Sequence, residues 1–318
     1  MLSLPDFEKK QILFINFNEG EKIAFSNENV VFKDKEGKIK LQCSCYNIYL
    51  IFAMGHFSIT SPLVQKCEKY GFFIVLMTSS FKVYDILGNA KNGNTLLKQK
   101  QYNYDEIDIA KLIVKNKIYS QQKTVNVIRS KSEIQLEFLK YSTQYLQMID
   151  NCTNIQEIMG FEGMTSKLYF RCYFDNILWH GRRPRIKQDY VNSTLDIGYT
   201  ILFNFLEALL LSHGFDVYVG VLHRQFYMRK SLVCDIIEPF RVIIDKAIKK
   251  GVNLNQIKEE DFKVVNYQYR LRYEKNSKYI RLFMEEILKE KQEIFKYVQE
   301  YYRAFMKEKN IKDYPFYK

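Results

Sequence analysis

The sequence predicts an α+β fold, in which a small N-terminal β-strand domain precedes a larger all-α C-terminal domain. Short strand-like runs come first, long helical patterns follow, and the hydrophobic period changes only once along the 318 residues. A segment rich in turn-forming residues, Gly88–Asn94, separates the two patterns. We therefore expect one domain at residues 1–90 and a second at residues 91–318.

The N-terminal part contains short apolar runs of strand length. They are Ile12–Ile15, Lys22–Phe25, Asn29–Phe32, Lys38–Leu41, Tyr49–Phe52 and Phe73–Leu76. The polar sequences Asn18–Gly20 and Lys35–Gly37 are typical of turns between strands. One helix is expected among the strands, with Ser61 as its N-cap and Gly71 as its C-terminal cap.

Beyond residue 94, apolar residues recur three and four positions apart, as on the buried face of a helix. The predicted helices are Ile109–Ile118, Glu137–Met148, Thr165–Phe174, Leu195–Leu211, Leu232–Ile248 and Tyr279–Met306. The most apolar stretch, Ile201–Ser212, is interrupted by Asn204 and Glu207 and is too short to span a bilayer. The N-terminus also lacks a signal-peptide pattern, so we expect a cytoplasmic protein without a membrane segment.

The composition is strongly basic. The chain has 48 Lys and Arg residues against 36 Asp and Glu residues, which gives a formal net charge of +12 and a pI near 9.2. This balance favours a polyanionic partner, and DNA, RNA and an anionic membrane all remain open on charge alone. The six cysteines are scattered, and even the close pair Cys43 and Cys45 is more typical of reduced, buried thiols than of a metal site.

Two short stretches carry the residues best suited to chemistry. Glu162 lies in Gly160-Phe161-Glu162-Gly163, while His223 and Glu238 lie in the later segment from Gly220 to Arg241. Two carboxylates and an imidazole, without a thiolate, favour Mg²⁺ or Mn²⁺ over structural zinc. Such an ion activates an attacking oxygen and stabilises a leaving one at a phosphodiester. This donor set therefore indicates an enzyme that acts on nucleic acid.

The same stretches resemble the CRISPR-associated integrase family, the enzymes of spacer acquisition. The family has a Gly-x-Glu-Gly signature followed by a Tyr-Phe pair, and here Tyr169-Phe170 follow Glu162-Gly163. Its later pattern of a polar Asn, Gly-x-Leu-His and Ser-Leu…Glu-Pro-Phe-Arg is matched by Asn192, Gly220–His223 and Ser231–Arg241. Order and spacing agree over about eighty residues, which makes the likeness far more specific than any single short motif.

The resemblance implies a metal-dependent DNA endonuclease and integrase. It would insert captured DNA fragments as new spacers into a CRISPR array, by attack of a fragment's 3′-hydroxyl at the repeat. The implied ligands of Mg²⁺ or Mn²⁺ are Glu162, His223 and Glu238. Asp235 is implied as a supporting acid, and Asn192 as a residue near the active site. For Asn192, a role as the N-cap of the next helix is equally open.

The resemblance also implies partners. The family forms homodimers through its β domain, and a small dimeric CRISPR adaptation protein bridges two of them. The DNA substrates would be a prespacer duplex and the leader and repeat of the array. Arg182, Arg183 and Arg185, in the irregular stretch Trp179–Tyr190, are candidate phosphate contacts, although a merely solubilising loop is equally consistent with their sequence.

The local geometry of the candidate site can also be predicted. We expect Glu162 near the start of a helix, where the helix dipole favours a carboxylate. Asp235 and Glu238 are three residues apart and would share one helix face. Pro239 cannot donate a backbone hydrogen bond, so a kink is expected there, turning Glu238 toward the cleft.

Two rival functions remain. A catalytically silent DNA-binding scaffold would require a broken ligand set, whereas the three candidate ligands are all present. A mobile-element integrase of the same superfamily, outside a CRISPR locus, would be expected to carry further C-terminal DNA-binding segments. The sequence beyond Met306 is short, which favours the CRISPR interpretation.

Overall fold

The computed structural model describes residues 2–88, 90–175, 177, 179, 181–224 and 227–318. Asn89, in the predicted boundary segment, and His180, in the predicted irregular stretch, lie outside the described residues. The N-terminal elements are α1 Leu4–Glu8, β1 Gln11–Ser26, β2 Asn29–Lys33, β3 Ile39–Ser44, β4 Ile48–Ile59, α2 Ser61–Tyr70, β5 Phe73–Met77 and β6 Val83–Gly88.

Over residues 11–88, six strands form one mixed sheet in the order β3-β2-β1-β4-β5-β6. The pairs β1–β4 and β4–β5 are parallel, and the other neighbours are antiparallel. Each predicted run lies in a strand, except that Lys38 precedes the start of β3 at Ile39. The predicted turn Asn18–Gly20 is instead an irregularity inside β1, where the pairing register to β4 shifts between Phe17 and Glu21. Helix α2 is confirmed, with its C-terminal cap at Gly71, but its N-cap is Thr60 rather than Ser61.

Strand β4 lies between two apolar clusters because its side chains alternate across the sheet. Leu50 and Phe52 belong to the larger cluster, which the sheet shares with the helices that follow it. Ile51 and Ala53 belong to a smaller cluster closed by α2. Since one core spans the sheet and the helices, the division into domains at 1–90 and 91–318 stays a prediction.

The part after residue 94 is mainly helical, which confirms the predicted α+β class. Its elements are α3 Thr95–Asn103, α4 Asp108–Asn126, α5 Glu133–Asp150, α6 Ile155–Tyr173, α7 Tyr190–His213, α8 Ser231–Ile236, α9 Arg241–Asn253, β7 Phe262–Val265, β8 Gln268–Leu271, α10 Asn276–Lys289 and α11 Lys291–Met306. The hairpin β7–β8 was not predicted, because its strands are short. Asn266 and Tyr267 form its two-residue turn, with φ of 51° and 59°.

Helix α7 is much longer than the apolar stretch predicted from sequence. It has 24 residues, and an 18-residue part of it reaches a mean hydropathy of 1.4, so its length would suffice to cross a membrane. The expectation that it is too short is therefore wrong. However, 78% of that part is buried inside the protein, as expected for a central core helix. Its Glu207 is tolerated there because the Lys230 ammonium lies 2.6 Å from the carboxylate.

The cysteines confirm the predicted burial. Cys45, Cys67, Cys152 and Cys172 are buried free thiols, while Cys43 and Cys234 are half-buried. Burial raises the pKa of Cys67 to about 12, which makes its reactive thiolate scarce at neutral pH.

Candidate active site

The two predicted carboxylate ligands meet at one buried lysine. The Lys117 ammonium, on α4, contacts Glu162 Oε1 on α6 and lies 2.6 Å from Glu238 Oε2. The Lys117 side chain is 7% exposed, and those of Glu162 and Glu238 are 24% and 4% exposed. A lysine is rarely buried so deeply unless it is paired. The structure therefore brings together two carboxylates that are 76 residues apart in sequence, around a single cationic atom.

Glu162 does not lie near a helix start, so that expectation is wrong. Helix α6 begins at Ile155, about two turns earlier, where Asn154 provides the N-cap. The helix dipole acts only on the first turn and cannot stabilise this carboxylate. Its stabilisation comes from neighbouring donors instead, since the Ser166 hydroxyl donates a 2.8 Å hydrogen bond to the Oε1 that also contacts Lys117.

The predicted kink at Pro239 is confirmed. Helix α8 ends at Ile236, Glu238–Phe240 form a 3₁₀ turn, and α9 begins at Arg241. Because the helix ends between Asp235 and Glu238, the two acids do not share a helix face as predicted. Asp235 faces the loop that carries His223, while Glu238 faces Lys117 and Arg241.

Glu238 is an ionised buried carboxylate. Burial alone would raise its pKa, but the nearby Arg241 and Lys117 outweigh this and lower the pKa to about 2. Arg241 Nε donates to Glu238 Oε2 over 3.0 Å. For Lys117, burial would lower the pKa, yet the two glutamates raise it above its ordinary value. Glu238 and Lys117 therefore both keep their charges at neutral pH.

Arg241 links Glu238 to a second buried acid. Its guanidinium lies 4.7 Å from the centroid of the Tyr199 ring, and the Tyr199 hydroxyl donates a 2.5 Å hydrogen bond to Asp245. The Tyr169 hydroxyl donates to the same carboxylate over 3.2 Å. Burial raises the pKa of Asp245 to about 6, although both hydrogen bonds oppose the rise.

His223 is held by Asp235, which is fully buried. The Asp235 carboxylate accepts hydrogen bonds from the backbone N–H groups of Val221, Leu222 and His223 at 2.6 to 3.0 Å. The ring atom His223 Nδ1 lies 2.8 Å from Asp235 Oδ1. Because a carboxylate accepts, Nδ1 carries the proton, and Nε2 is the nitrogen that keeps a lone pair in the neutral ring.

The loop before His223 requires a glycine at its first position. A Cβ on Gly220 would lie 2.7 Å from Asp235 Oδ2, 2.8 Å from Ser231 Cβ and 2.9 Å from the carbonyl oxygen of His223. No side chain fits at such distances without displacing the loop. The Gly-x-Leu-His pattern is thus explained locally, since the glycine lets the chain fold tightly over Asp235.

The donor set fits a divalent ion in its chemistry. Glu162 and Glu238 already converge on one positive charge, which is what a hard cation such as Mg²⁺ or Mn²⁺ requires of carboxylates. A carboxylate on His223 Nδ1 is also the usual arrangement behind a histidine that binds metal through Nε2. Among the residues that the structure describes, however, no three His, Cys, Asp or Glu side chains form a group that could hold a metal ion. His223 is not gathered with the two glutamates.

Asn192 is not the N-cap of α7, so that alternative is wrong, while its role near the active site stays a prediction. The N-cap of α7 is Asp189, and Asn192 is fully buried in the first turn. Its side-chain oxygen accepts from the backbone N–H of Arg183 and from Arg182 Nη1, at 2.8 and 3.1 Å. Its side-chain nitrogen donates to the carbonyl oxygen of Gly181. Asn192 therefore anchors the arginine-containing loop on α7.

The three arginines of that loop differ in their surroundings. Arg182 pairs with Asp196 over 2.6 Å, with its side chain 13% exposed, and its guanidinium lies 5.4 Å from the Tyr199 ring centroid. Arg182 is thus largely a structural residue. Arg183 and Arg185 are exposed. Tyr199 lies between Arg182 and Arg241, which connects the base of this loop to Glu238.

The hairpin β7–β8 lies beside the arginine-containing loop and adds further basic residues to it. The backbone N–H of Tyr269 donates to the carbonyl oxygen of Lys187 over 2.8 Å. Lys263 and Arg270 are paired across the hairpin and both are exposed, a like-charge arrangement that costs stability unless an anion is present. Tyr267, at the tip, is 96% exposed. We call residues 181–187 and 262–271 together the basic surface.

Sequence reasoning missed Lys117 and Arg241 as members of the site. Arg241 is the last residue of the Glu-Pro-Phe-Arg motif, three residues after Glu238, and this spacing is typical of an ion pair. Lys117 left a weaker signal. It lies between Val114 and Ile118 on the apolar face of α4, where a lysine without a buried partner is unexpected.

The chain matches the family model described as CRISPR associated protein Cas1 over residues 14–285. A curated relative, the CRISPR-associated endonuclease Cas1 1 of Thermodesulfovibrio yellowstonii, is 28% identical over 228 residues, which are 67% of this chain and 71% of the relative.

Two solved structures share the fold. One belongs to a Cas6-RT-Cas1–Cas2 complex, with a TM-score of 0.83, 19% identity and coverage of 98% of this chain but 36% of that longer chain. The other is a casposase bound to integration product, with a TM-score of 0.78, 18% identity and coverage of 97% and 94%. Since the family model matches far more than half of the sequence, this chain belongs to the Cas1 family of CRISPR-associated endonucleases and integrases.

Proposed function

We propose that this protein is a divalent-metal-dependent DNA endonuclease and integrase that inserts captured DNA fragments as new spacers into a CRISPR array. The observation that carries the proposal is the convergence of Glu162 and Glu238 on one cationic centre, in a chain of the Cas1 family. The 3′-hydroxyl of the fragment would attack a phosphodiester at the repeat boundary. Water in place of that hydroxyl would give endonuclease activity.

Glu162, Glu238 and His223 are the proposed ligands. When bound, Mg²⁺ or Mn²⁺ would supply Lewis-acid stabilisation of the attacking and leaving oxygens. Asp235 orients His223 through Nδ1, so that Nε2 is the free donor. Arg241 keeps Glu238 ionised, as its lowered pKa indicates. Bringing His223 to the carboxylates requires a movement of its loop or of the glutamate side chains when metal and DNA bind.

The basic surface is the proposed DNA-contact region outside the reacting centre. Arg183, Arg185, Lys263 and Arg270 are exposed there, and their positive charges suit backbone phosphates. The exposed ring of Tyr267 suits stacking on an unpaired base. Arg182 is assigned to the support of the loop, because Asp196 and Asn192 already occupy its guanidinium.

We further propose a homodimer that works with a small dimeric adaptation protein in a prokaryotic cytoplasm. The Cas6-RT-Cas1–Cas2 complex, whose Cas1 part has the same fold, supports a partner protein of this kind. The casposase, which is bound to integration product, supports an integration reaction. The casposase likeness also makes a mobile-element integrase the second candidate function.

Strand transfer tests the proposal directly. A labelled duplex, a plasmid with the repeat array, Mn²⁺ and the small partner are mixed with wild type, His223→Ala or Asp235→Asn. We expect product from wild type, none from His223→Ala, and at least about 10- to 100-fold less from Asp235→Asn, because the amide keeps only one of the two oxygens that orient His223 and accept the backbone N–H groups of its loop. His56→Ala is the matched control, since His56 is exposed on β4, and it should retain activity.

The same assay separates the alternatives. Product that depends on terminal inverted repeats instead of the array would establish the mobile-element function. Equal product from wild type and His223→Ala would remove His223 from the reaction. DNA binding without any product would favour the silent scaffold. The double variant Arg183→Ala/Arg185→Ala should weaken DNA binding and reduce the salt dependence by about two counterions if both residues contact phosphates.

A further inference from the structure

Lys117 takes the position that a cation must occupy between the two glutamates. Its ammonium contacts Glu162 Oε1 and lies 2.6 Å from Glu238 Oε2, and its side chain is almost fully buried. The carboxylates come from separate elements, α6 and the 3₁₀ turn after α8. A positive charge that bridges them lowers their mutual repulsion and holds them at a short separation.

Helix α4 presents this lysine from a firmly anchored position. The adjacent Asn116 side chain is fully buried and makes two hydrogen bonds with the backbone of Tyr317, at 2.8 and 2.9 Å. The Tyr317 ring packs 4.7 Å from the ring of Phe240, which follows Glu238 in the 3₁₀ turn. The backbone of α4 is thus fixed relative to Glu238, and Lys117 reaches the two carboxylates through its four-carbon stem.

An ammonium and a divalent ion cannot share this centre without strong repulsion. Glu162 and Glu238 carry two negative charges, which Lys117 and Arg241 already balance. A bound Mg²⁺ or Mn²⁺ would need the same carboxylate oxygens, and like charges at a few ångströms in a buried site repel far more than in water. Metal binding therefore requires Lys117 to leave its present contacts.

We infer that Lys117 is a built-in counter-ion that holds Glu162 and Glu238 together in the metal-free protein and competes with the divalent ion for them. The inference rests on the proposed function, because it assumes that these carboxylates bind metal. Lys117 is then a positioning residue with two opposed effects. It stabilises the metal-free site, and it lowers the affinity for metal.

The test compares Lys117→Met with Lys117→Arg, using Mn²⁺ titration followed by electron paramagnetic resonance and thermal unfolding with and without Mn²⁺. Lys117→Met removes the charge at similar length and should bind Mn²⁺ roughly tenfold more tightly, within the usual range of coupling between two ligands. Its metal-free unfolding midpoint should fall, and Mn²⁺ should restore more of it than in wild type. Lys117→Arg keeps the charge and should resemble wild type.

Lys115→Met is the matched control on the same helix, because Lys115 pairs with Asp150 at the surface. Its Mn²⁺ affinity should equal that of wild type. A merely structural Lys117 would give Lys117→Met equal or weaker Mn²⁺ binding, and that result overturns the inference. If Lys117→Met does not accumulate as folded protein, Lys117→Gln supplies the neutral comparison, since its amide still donates to a carboxylate.

Failure of the proposed function looks different. If neither wild type nor Lys117→Met binds Mn²⁺, or if binding persists in Glu162→Gln and Glu238→Gln, the proposed metal site is wrong and the inference with it. If wild-type binding disappears in those two variants while Lys117→Met shows no gain, the metal site stands and only the competition is refuted.

Discussion

The two halves of the candidate site are stabilised by opposite means. Glu162 and Glu238 are held by cationic side chains, Lys117 and Arg241, whose charges balance theirs. His223 is held by a carboxylate, Asp235, which is itself satisfied by three backbone N–H groups. One half depends on long side chains that can rearrange, and the other depends on a fixed backbone loop.

This difference indicates which half can respond to a ligand. The loop at His223 has little freedom, because Gly220 already lies in close contact with Asp235 and Ser231. If the backbone moved away from Asp235, the N–H groups that it satisfies would be left buried without an acceptor. In the carboxylate half, a metal ion would replace the Lys117 ammonium beside Glu162 and Glu238. This exchange changes side-chain contacts and does not require the backbone to refold. We expect the glutamate side chains and Lys117 to move more than the His223 loop on metal binding.

Removing Asp235 should give the largest loss of stability. In Asp235→Ala, the N–H groups of Val221, Leu222 and His223 lose their acceptor. Each buried unsatisfied donor costs at least about 1 kcal/mol, so we expect a loss of about 3 kcal/mol or more in the free energy of unfolding. Urea denaturation measures it. A loss below about 1 kcal/mol would show that the loop is not fixed as described.

The pH dependence of stability should distinguish the cation-held carboxylate from a carboxylate held by neutral groups. The folded-state pKa of Glu238 is about 2, below its ordinary 4.5, so its contribution is complete above pH 4.5 and is lost as the pH falls toward 2. At 1.36 kcal/mol per pKa unit the contribution is roughly 3 kcal/mol. Urea denaturation between pH 5 and 2 should show this loss in wild type, with a flatter profile for Glu238→Gln.

Asp245 should show the opposite sign, since its partners are the hydroxyls of Tyr169 and Tyr199. Its folded-state pKa is raised to about 6 from 3.8, so stability is lost as the pH rises from about 4 through 6. The loss is roughly 3 kcal/mol by the same conversion. Asp245→Asn should therefore gain stability relative to wild type over that interval. A difference between the two that is constant with pH would contradict the raised pKa.

A pair of glycine substitutions should give the smallest effects and contrast the two halves most simply. Gly220→Ala forces a Cβ against Asp235 and Ser231 and should cost about 1–3 kcal/mol. Gly163→Ala, next to Glu162 within α6, meets no atom within 4 Å and should stabilise the helix by up to about 1 kcal/mol. Thermal unfolding of both variants measures the contrast. Equal effects would mean that the loop accommodates a Cβ after all.

Local patterns in the sequence predicted much of the fold. The short apolar run Tyr49–Phe52 indicated a strand, and the cap at Gly71 ended α2 as expected. Pro239 indicated the kink, because a missing N–H is a local property. The hairpin β7–β8 was missed since its strands have only four residues each. The start of α7 was missed because Asn192 is polar yet buried by contacts with the loop that precedes the helix.

The candidate site was predicted as a set of residues and not as an arrangement. The motif spacing pointed to Glu162, His223, Asp235 and Glu238, and their roles as ligands or support remain predictions. The position of Glu162 within α6 differed from the expectation because a helix start is set by its cap, Asn154. The arginines seemed equivalent in sequence, whereas Asp196 binds Arg182 and leaves Arg183 and Arg185 exposed.

The sequence by itself determined the α+β class, most strands and helices, the kink before Arg241 and the residues whose side chains suit catalysis or metal binding. Each of these features depends on local properties of the chain, namely the spacing of apolar residues, the helix caps and the backbone chemistry of proline, which act over a few residues. Only the tertiary structure decided that Lys117 bridges the glutamates and that Asp235 orients His223. Those contacts join side chains from α4, α6 and the segments around α8, and burial makes each charge depend on its partner.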